Sequence, residues 1–423
     1  MRRVTRRGVL KMGATAAAGL AIGQSSLPAL AQSQRLSVLS PQRPDPIPPG
    51  VSNFAVDLLT TWQTDHDTGV DYTTQPFFEM AQATSDAVAS GGYVHDIFYN
   101  WATIPENAGS LVELGSRLPN ELTADLAPSQ AASVSWQGKQ YGVVPTLSLL
   151  LLFFNRDILA SAGIGQPPAT WDELKATAAA FATESPNGLL LPYGAPAGIG
   201  GVASIWMAFL QQAGGAMYND DGKPVFDDAP GVDALQFMID LLPITTSDSL
   251  RLAGYGDAAY RMMAGSAAMT FSFPAFWTAM NGGAAPGEGR IAPAVMPKGP
   301  DTNATINGVD AWTIATASPN QELAEELIAF YLSPDVQKRQ AIDTGWLPAR
   351  LSVLGDAEVQ SANPVAAVLL EQATSPFDSF ITPNYLAITD AIGREIQQAL
   401  RGEQTASQAL TTAKSAIQPL ISW

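Results

Sequence analysis

Between residues 35 and 101 the hydrophobic period switches repeatedly, and this alternation restricts the fold more than any other feature. Residues 35–40 (RLSVLS) read as a strand, 51–65 as an amphipathic helix and 70–74 as a second strand. Residues 77–90 read as a second helix stopped by Gly91-Gly92, and 95–99 (HDIFY) as a third strand ending at Asn100-Trp101. Strands separated by helices of this length pair in parallel, because a parallel pair needs a long crossover. An α/β sheet follows, and open sheets of that kind hold ligands beyond the carboxyl ends of their strands. The proline-rich loop 41–50 (PQRPDPIPPG) and Tyr99-Asn100-Trp101 form one such rim.

The remainder continues in the same style with more helix. Residues 149–154 (LLLLFF) are the most hydrophobic run, short enough to be a buried strand. A capping pattern at 170–173 (TWDE) starts a helix, with Thr170 as cap and Glu173 three residues on. Residues 202–213 form a helix closed by Gly214-Gly215, and 231–242 and 257–264 are further helices. A buried strand is expected at 269–273, a helix pair at 320–332 and 335–344 broken at Ser333-Pro334, and a helical end at 385–421.

The first residues bear on location. Arg2, Arg3, Arg6, Arg7 and Lys11 precede a short apolar run, and Ala29-Leu30-Ala31 reads as a cleavage site. The run is too short to span a bilayer, so residues 1–31 read as a secretory signal. The stretch TRRGVLK at 5–11 fits the twin-arginine pattern, an ordinary Sec signal being the alternative. Cleavage leaves 392 residues (423 less the first 31), which favours two lobes over one core. It also removes five positive charges, taking the net charge from −17 to −22, which argues against nucleic acid or anionic lipid as partner. With no cysteine there is no disulfide framework and no lipid-anchored cysteine, and the expected place is the periplasm, as a soluble monomer. Only His66 and His95 are available for histidine chemistry, and no residue pattern asks for a metal or a cofactor.

Beyond residue 140 a series of motifs follows in fixed order: YGVVP at 141–145, FNRD at 154–157, Ala162-Gly163, PPATWDEL at 167–174 and MAGSAAM at 263–269. PKGP at 297–300, Asn307-Gly308, Trp312, SPNQELA at 318–324 and GWLPAR at 345–350 complete it. In order and spacing this resembles the extracellular solute-binding proteins that serve ABC sugar importers. The resemblance implies a type II periplasmic-binding-protein fold: two α/β lobes, with the ligand held between them and buried by hinge closure. It implies crossings between the lobes near 144–148 and 305–309 and after the GWLPAR turn. The N-terminal lobe would take 32–144 and 307–352, and the C-terminal lobe 145–306 and 353–423. It implies a saccharide-like ligand and an inner-membrane permease as partners, and no catalysis.

Sugars offer flat C–H faces and rings of hydroxyls, which aromatic platforms and planar amides match. On that criterion Trp101 is the first candidate, and the resemblance places a cleft tryptophan there. Tyr99 and Asn100 share its strand end, and Gln42, Arg43 and Asp45 lie in the first loop. Ser204 and Trp206 follow the glycine-rich 198–201 segment, with a core packing role open for Trp206. Phe276 or Trp277 would stack after the 269–273 strand, and Asp310, Trp312, Trp346 and Arg350 complete the set. Arg350 could clamp an anion through a forked pair, or sit as a surface arginine. Two departures from the family pattern count against a maltodextrin. Phe154 replaces a frequent tyrosine, and 146–148 lacks the glutamate that maltose-binding members carry. A smaller or different saccharide, or an anionic derivative, fits better. Polyamine or ferric-iron binding and a periplasmic carbohydrate-active enzyme are the other readings. The first would need denser carboxylates or paired tyrosines, and the second two placed carboxylates.

Overall fold

The computed structural model describes residues 34–41, 56–75, 79–100, 102–181, 187–194, 201–245, 249–252, 254–281, 289–308, 311–375 and 382–421. The expected signal segment, Gln42, Arg43, Asp45, Trp101 and Asp310 lie outside the described residues.

β1 (Gln34–Ser40) and β2 (Thr68–Thr74) run parallel in a seven-residue register, joined through α1 (Val56–Asp65). After α2 (Met80–Ala89), β3 (Ile97–Asn100) joins the other side of β1, also parallel. The expected strand–helix alternation is borne out in this part of the chain. Short α3 (Ile104–Asn107) follows, then the hairpin β4 (Ser135–Trp136) and β5 (Lys139–Gln140), then β6 (Gly142–Val143).

The chain then builds a second sheet. β7 (Leu151–Asn155) leads through α4 (Trp171–Ala179) to β8 (Asn187–Leu190), α5 (Val202–Gln212), α6 (Ala229–Leu241) and α7 (Tyr255–Met263). β9 (Ala267–Ser272), α8 (Trp277–Asn281) and β10 (Ile291–Ala294) complete it in the order β10-β7-β9-β8. β11 (Ala311–Ile314) returns to the first sheet and pairs antiparallel with both β3 and β6, giving the order β2-β1-β3-β11-β6. α9 (Gln321–Leu332), α10 (Pro334–Thr344), α11 (Tyr385–Leu400) and α12 (Ala406–Ile417) follow.

Each sheet has its own apolar core. Leu36, Val38, Ile97 and Phe98 pack with Trp62 of α1 and Tyr331 of α9 against the first sheet. The LLLLFF run serves two cores at once. Leu150 and Leu152 face Trp206, Phe209 and Phe271, while Leu149, Leu151 and Phe153 face Met262, Met280 and Leu369. A strand covered on both faces carries no polar alternation, which is why the run is continuous. Each such leucine contributes roughly 2 kcal/mol by leaving water.

Local chemistry sets the helix ends. Thr170 accepts the Glu173 N–H at 3.2 Å, and the Glu173 carboxylate turns back to the Ala169 N–H at 2.7 Å. The helical end divides in two, because Thr405 and Gln408 form a reciprocal capping box that starts α12.

Three segments run side by side between the sheets. The Leu147 N–H donates to Leu347 O at 3.2 Å, and the Ala349 N–H to Pro145 O at 3.1 Å. On its other side the Leu150 N–H donates to Ile306 O at 3.0 Å, and the Gly308 N–H to Ser148 O at 2.7 Å. The 145–150 segment is therefore the middle ply. The third ply includes Leu347 and Ala349 of the GWLPAR turn.

Candidate ligand site

Asn100 ends β3 and is fully buried. Its Oδ1 accepts the Thr103 N–H at 3.2 Å and the Thr103 hydroxyl at 3.0 Å. Its Nδ2 has no partner among the described residues. Asn100 pairs with Ala311, so this strand end adjoins the crossing that enters β11.

That crossing is threaded tightly. A Cβ at Gly308 would stand 3.1 Å from Ser148 Oγ and 3.4 Å from Phe273 Cε1. Phe273 stands edge-on to Tyr255, ring centres 5.0 Å apart at 76°. Tyr255 opens α7, and a Cβ at the next residue, Gly256, would stand 3.6 Å from Phe276 Cε1. On the first-sheet side, Asn307 Nδ2 donates to Ser133 Oγ at 3.2 Å. Ser133 ends the short helix Pro128–Ser133, which also carries Gln130.

Several buried polar groups on or beside these segments lack a partner among the described residues. Besides Asn100 Nδ2, both amide atoms of Gln130, Asn307 Oδ1, the Tyr255 hydroxyl and Trp277 Nε1 are buried without a partner among the described residues. Each such group costs about 1–3 kcal/mol, and folded proteins keep few of them. Burial pushes the Tyr255 phenol far above its ordinary range and Tyr385 up to about 12, so both stay neutral hydroxyls. Planar amides, phenols and aromatic faces on segments that meet at the crossings are suited to a neutral, hydroxyl-rich molecule.

Four of the sequence-derived candidates are held in the apolar cores or in intramolecular polar contacts. Trp206 is fully enclosed: its Nε1 donates to Gly231 O at 3.3 Å, and its ring meets Phe226 edge-on at 5.5 Å. Tyr99 and Trp312 are cross-strand partners in the first core, where Trp312 lies edge-on to Tyr331 at 4.7 Å. Strand alternation turns Asn100 the other way, away from that core. Arg350 is 6% exposed and already committed. Its Nη1 donates to Leu122 O and Leu332 O at 3.0 and 3.3 Å, its Nη2 donates to Glu121 O at 3.1 Å, and its Nε lies 3.2 Å from Asp125 Oδ2. It ties the third crossing to the first lobe through these contacts.

Other candidates are brought together. Gly345 touches α8, since a Cβ there would stand 2.7 Å from Thr278 Oγ1, so the Trp346 turn rests against the helix that carries Trp277. Phe276, Trp277 and Trp346 are all half-buried. Ser204 is nearly buried in the first turn of α5. Sequence reasoning did not single out Tyr255, Gln130, Tyr385 or Glu106, nor Asn307 as more than a crossing residue. Gly254 before an aromatic helix start is the signal that could have found Tyr255, whereas Gln130 and Glu106 carry none.

The profile of bacterial extracellular solute-binding proteins matches residues 57–367. A probable ABC transporter-binding protein of Deinococcus radiodurans is 25% identical over 275 residues, 62% of this chain and 64% of that one. The match therefore spans just under two thirds of that relative. An arabinooligosaccharide-binding protein of Bacillus subtilis is 22% identical over 401 residues, covering 85% and 88% of the two chains. Among solved structures, maltose-bound MalE3 of T. maritima superposes with a TM-score of 0.78 at 24% identity, over 92% of this chain and all of that one. A solute-binding protein of Thermotoga lettingae bound to α-D-tagatose gives 0.76 over the same shares, also at 24% identity. These likenesses bear out the two-lobed fold expected from the sequence.

Proposed function

We propose that this chain, which belongs to the bacterial extracellular solute-binding proteins, captures a neutral saccharide or polyol between its lobes and delivers it to an ABC importer. The observation that carries this reading is the set of orphaned polar groups beside aromatic rings at the crossings. A polyhydroxylated ligand supplies both donors and acceptors to such groups, and its C–H faces lie on the rings. The engagement of Arg350 favours a neutral ligand over an anionic sugar derivative. Relatives named for arabinooligosaccharide and maltotriose binding, and folds solved with mannitol and ribitol, support the ligand class.

In this reading the N-terminal lobe is 32–144 with 307–352, and the C-terminal lobe is 145–306 with 353–423. Trp101 is the stacking platform, with Gln42, Arg43, Asp45 and Asp310 along the same rim. Asn100, Tyr255, Phe276, Trp277, Trp346 and Tyr385 complete the site. Residues 1–31 direct export by the twin-arginine route, and the mature monomer diffuses in the periplasm until the closed form docks on its permease. Binding, and not catalysis, is the role, because the family and the relatives named above are binding proteins.

The test is a thermal-shift panel of neutral sugars, polyols, sugar acids and sugar sulfonates. A ligand that binds only the folded state must raise Tm, by about 2.7 kcal/mol of stability at a hundred times Kd. Neutral members should give the shift, and Trp101→Ala and Tyr255→Phe should each reduce it. A shift confined to anionic members, or turnover of an oligosaccharide, refutes the proposal.

A further inference from the structure

α11 lacks a cap of its own. Asn384 precedes it with φ 60°, in the left-handed region, and its side chain does not turn back onto the helix but donates to Leu420 O at 2.8 Å. The first N–H groups of a helix need acceptors from elsewhere when the capping side chain is turned away. Here the acceptor comes from α3, just past the end of β3 in the first lobe. Glu106 Oε1 accepts the Asn384 N–H at 2.6 Å, and the Tyr385 N–H also stabilises the carboxylate. The body of α11 belongs to the other lobe, since Ile388, Ile392 and Ile396 are buried in the second-sheet core. Its first turn reaches back, because Tyr385 and Leu386 pack on the first-sheet core. Burial raises the Glu106 pKa while the backbone N–H groups lower it, the balance of a carboxylate withdrawn from water and held by amides.

We propose that Glu106 is a closure latch, a positioning residue that caps α11 across the lobe boundary only when the lobes are shut. The proposal rests on the reading of the cleft as a ligand site that closes. Opening the cleft strips α11 of this acceptor and returns Glu106 to water. The latch thus sets how much of the ligand-free protein is already closed, and so what fraction of intrinsic affinity a ligand realises.

The chain has no native cysteine, so Gln82→Cys on exposed α2 and Asp233→Cys on exposed α6 give one label per lobe for distance measurement. In the ligand-free protein, Glu106→Ala should lower the closed-to-open ratio about 5- to 30-fold, the loss expected for a helix cap. Glu106→Gln keeps an acceptor oxygen and should restore part of the closed fraction. Asn384→Gly keeps both N–H donors, relieves the left-handed residue and should leave the ratio unchanged or higher. Circular dichroism and Tm identify a variant that fails to fold, in which case the Gln and Gly variants decide. A wild-type chain with no closed population, or Glu106→Ala with an unchanged distance distribution, overturns the latch. Weaker binding of D-mannitol, ribitol or D-tagatose in Glu106→Ala at an unchanged distribution also overturns it, since Glu106 would then be a direct ligand contact. Failure of every sugar and polyol to bind wild type overturns the ligand reading alone, because the ligand-free distances still judge the latch.

Discussion

Replacing Arg350 separates a structural staple from a ligand clamp. Arg350→Met keeps the length of the side chain and deletes its donors. Three carbonyls, on Glu121, Leu122 and Leu332, lose their bonds to the guanidinium, and Asp125 loses its ion partner. Taking about 1 kcal/mol for each orphaned carbonyl gives about 3 kcal/mol. The Asp125 carboxylate is 27% exposed, so water screens that pair and it adds only a fraction more. A total near 3–4 kcal/mol matches the usual cost of breaking a buried charge network. At about 2–4 °C per kcal/mol for domains of roughly 200 residues, Tm should fall by about 6–16 °C. Arg350→Lys, whose single ammonium cannot fork between residues 121–122 and Leu332, should lose more than half as much. Calorimetry supplies the Tm. Titration of a sugar at 10 °C, where the variants remain folded, should give a Kd within about threefold of wild type, since no ligand bond has been removed. Unchanged Tm with abolished binding would refute the reasoning and restore Arg350 to the site.

The remaining predictions test other parts of the fold. Asp96 is fully buried and accepts from Ser37 N at 2.8 Å, Ser318 Oγ at 2.6 Å and Tyr93 Oη at 3.0 Å. Asp96→Ala should therefore cost about 3 kcal/mol in urea unfolding, and a midpoint equal to wild type contradicts the assignment. Burial lowers the His95 pKa, against the opposing charge of Asp96. The unfolded chain then binds the extra proton more tightly, so stability falls as pH drops through the unfolded value of about 6.5. His95→Asn should show a flatter Tm profile between pH 7.5 and 5, and parallel profiles would remove His95 as the cause. Gly231, in the first turn of α6, lies so close to the preceding turn that a Cβ would stand 1.8 Å from Phe226 O. Gly231→Ala should cost more than about 3 kcal/mol, measurable as a Tm loss, and a Tm within 2 °C of wild type excludes the clash.

The parts legible from sequence are those governed by neighbours in the chain. Period two and period 3.6 place β1 to β3 and their helices, and Thr170 and Gly214 mark helix ends through local bonds. β11 is not legible as a strand, because AWTI is buried along its whole length and shows no alternation. For the same reason Trp312 gave no sign of which face it takes. Arg350 could not be read, since its partners at 121, 122, 125 and 332 meet it only through tertiary folding. Trp206 sits on a helix apolar all round, where core and rim positions look alike in sequence. Asn307-Gly308 stood out as a crossing, yet the orphaned Oδ1 that makes it a site feature is visible only in three dimensions.

The position of β11 has a consequence for how the chain is made. It lies between β3 and β6, yet it follows the whole of the second sheet in sequence. On a ribosome, the strands from 151 to 294 emerge contiguously and can pair with one another first. The first sheet meanwhile waits with a gap at its middle, and unpaired edges of that kind invite association with other chains. A nascent or truncated chain ending before residue 311 therefore leaves β6 detached, so the amino-terminal lobe completes its sheet only after the carboxy-terminal sheet has been synthesised.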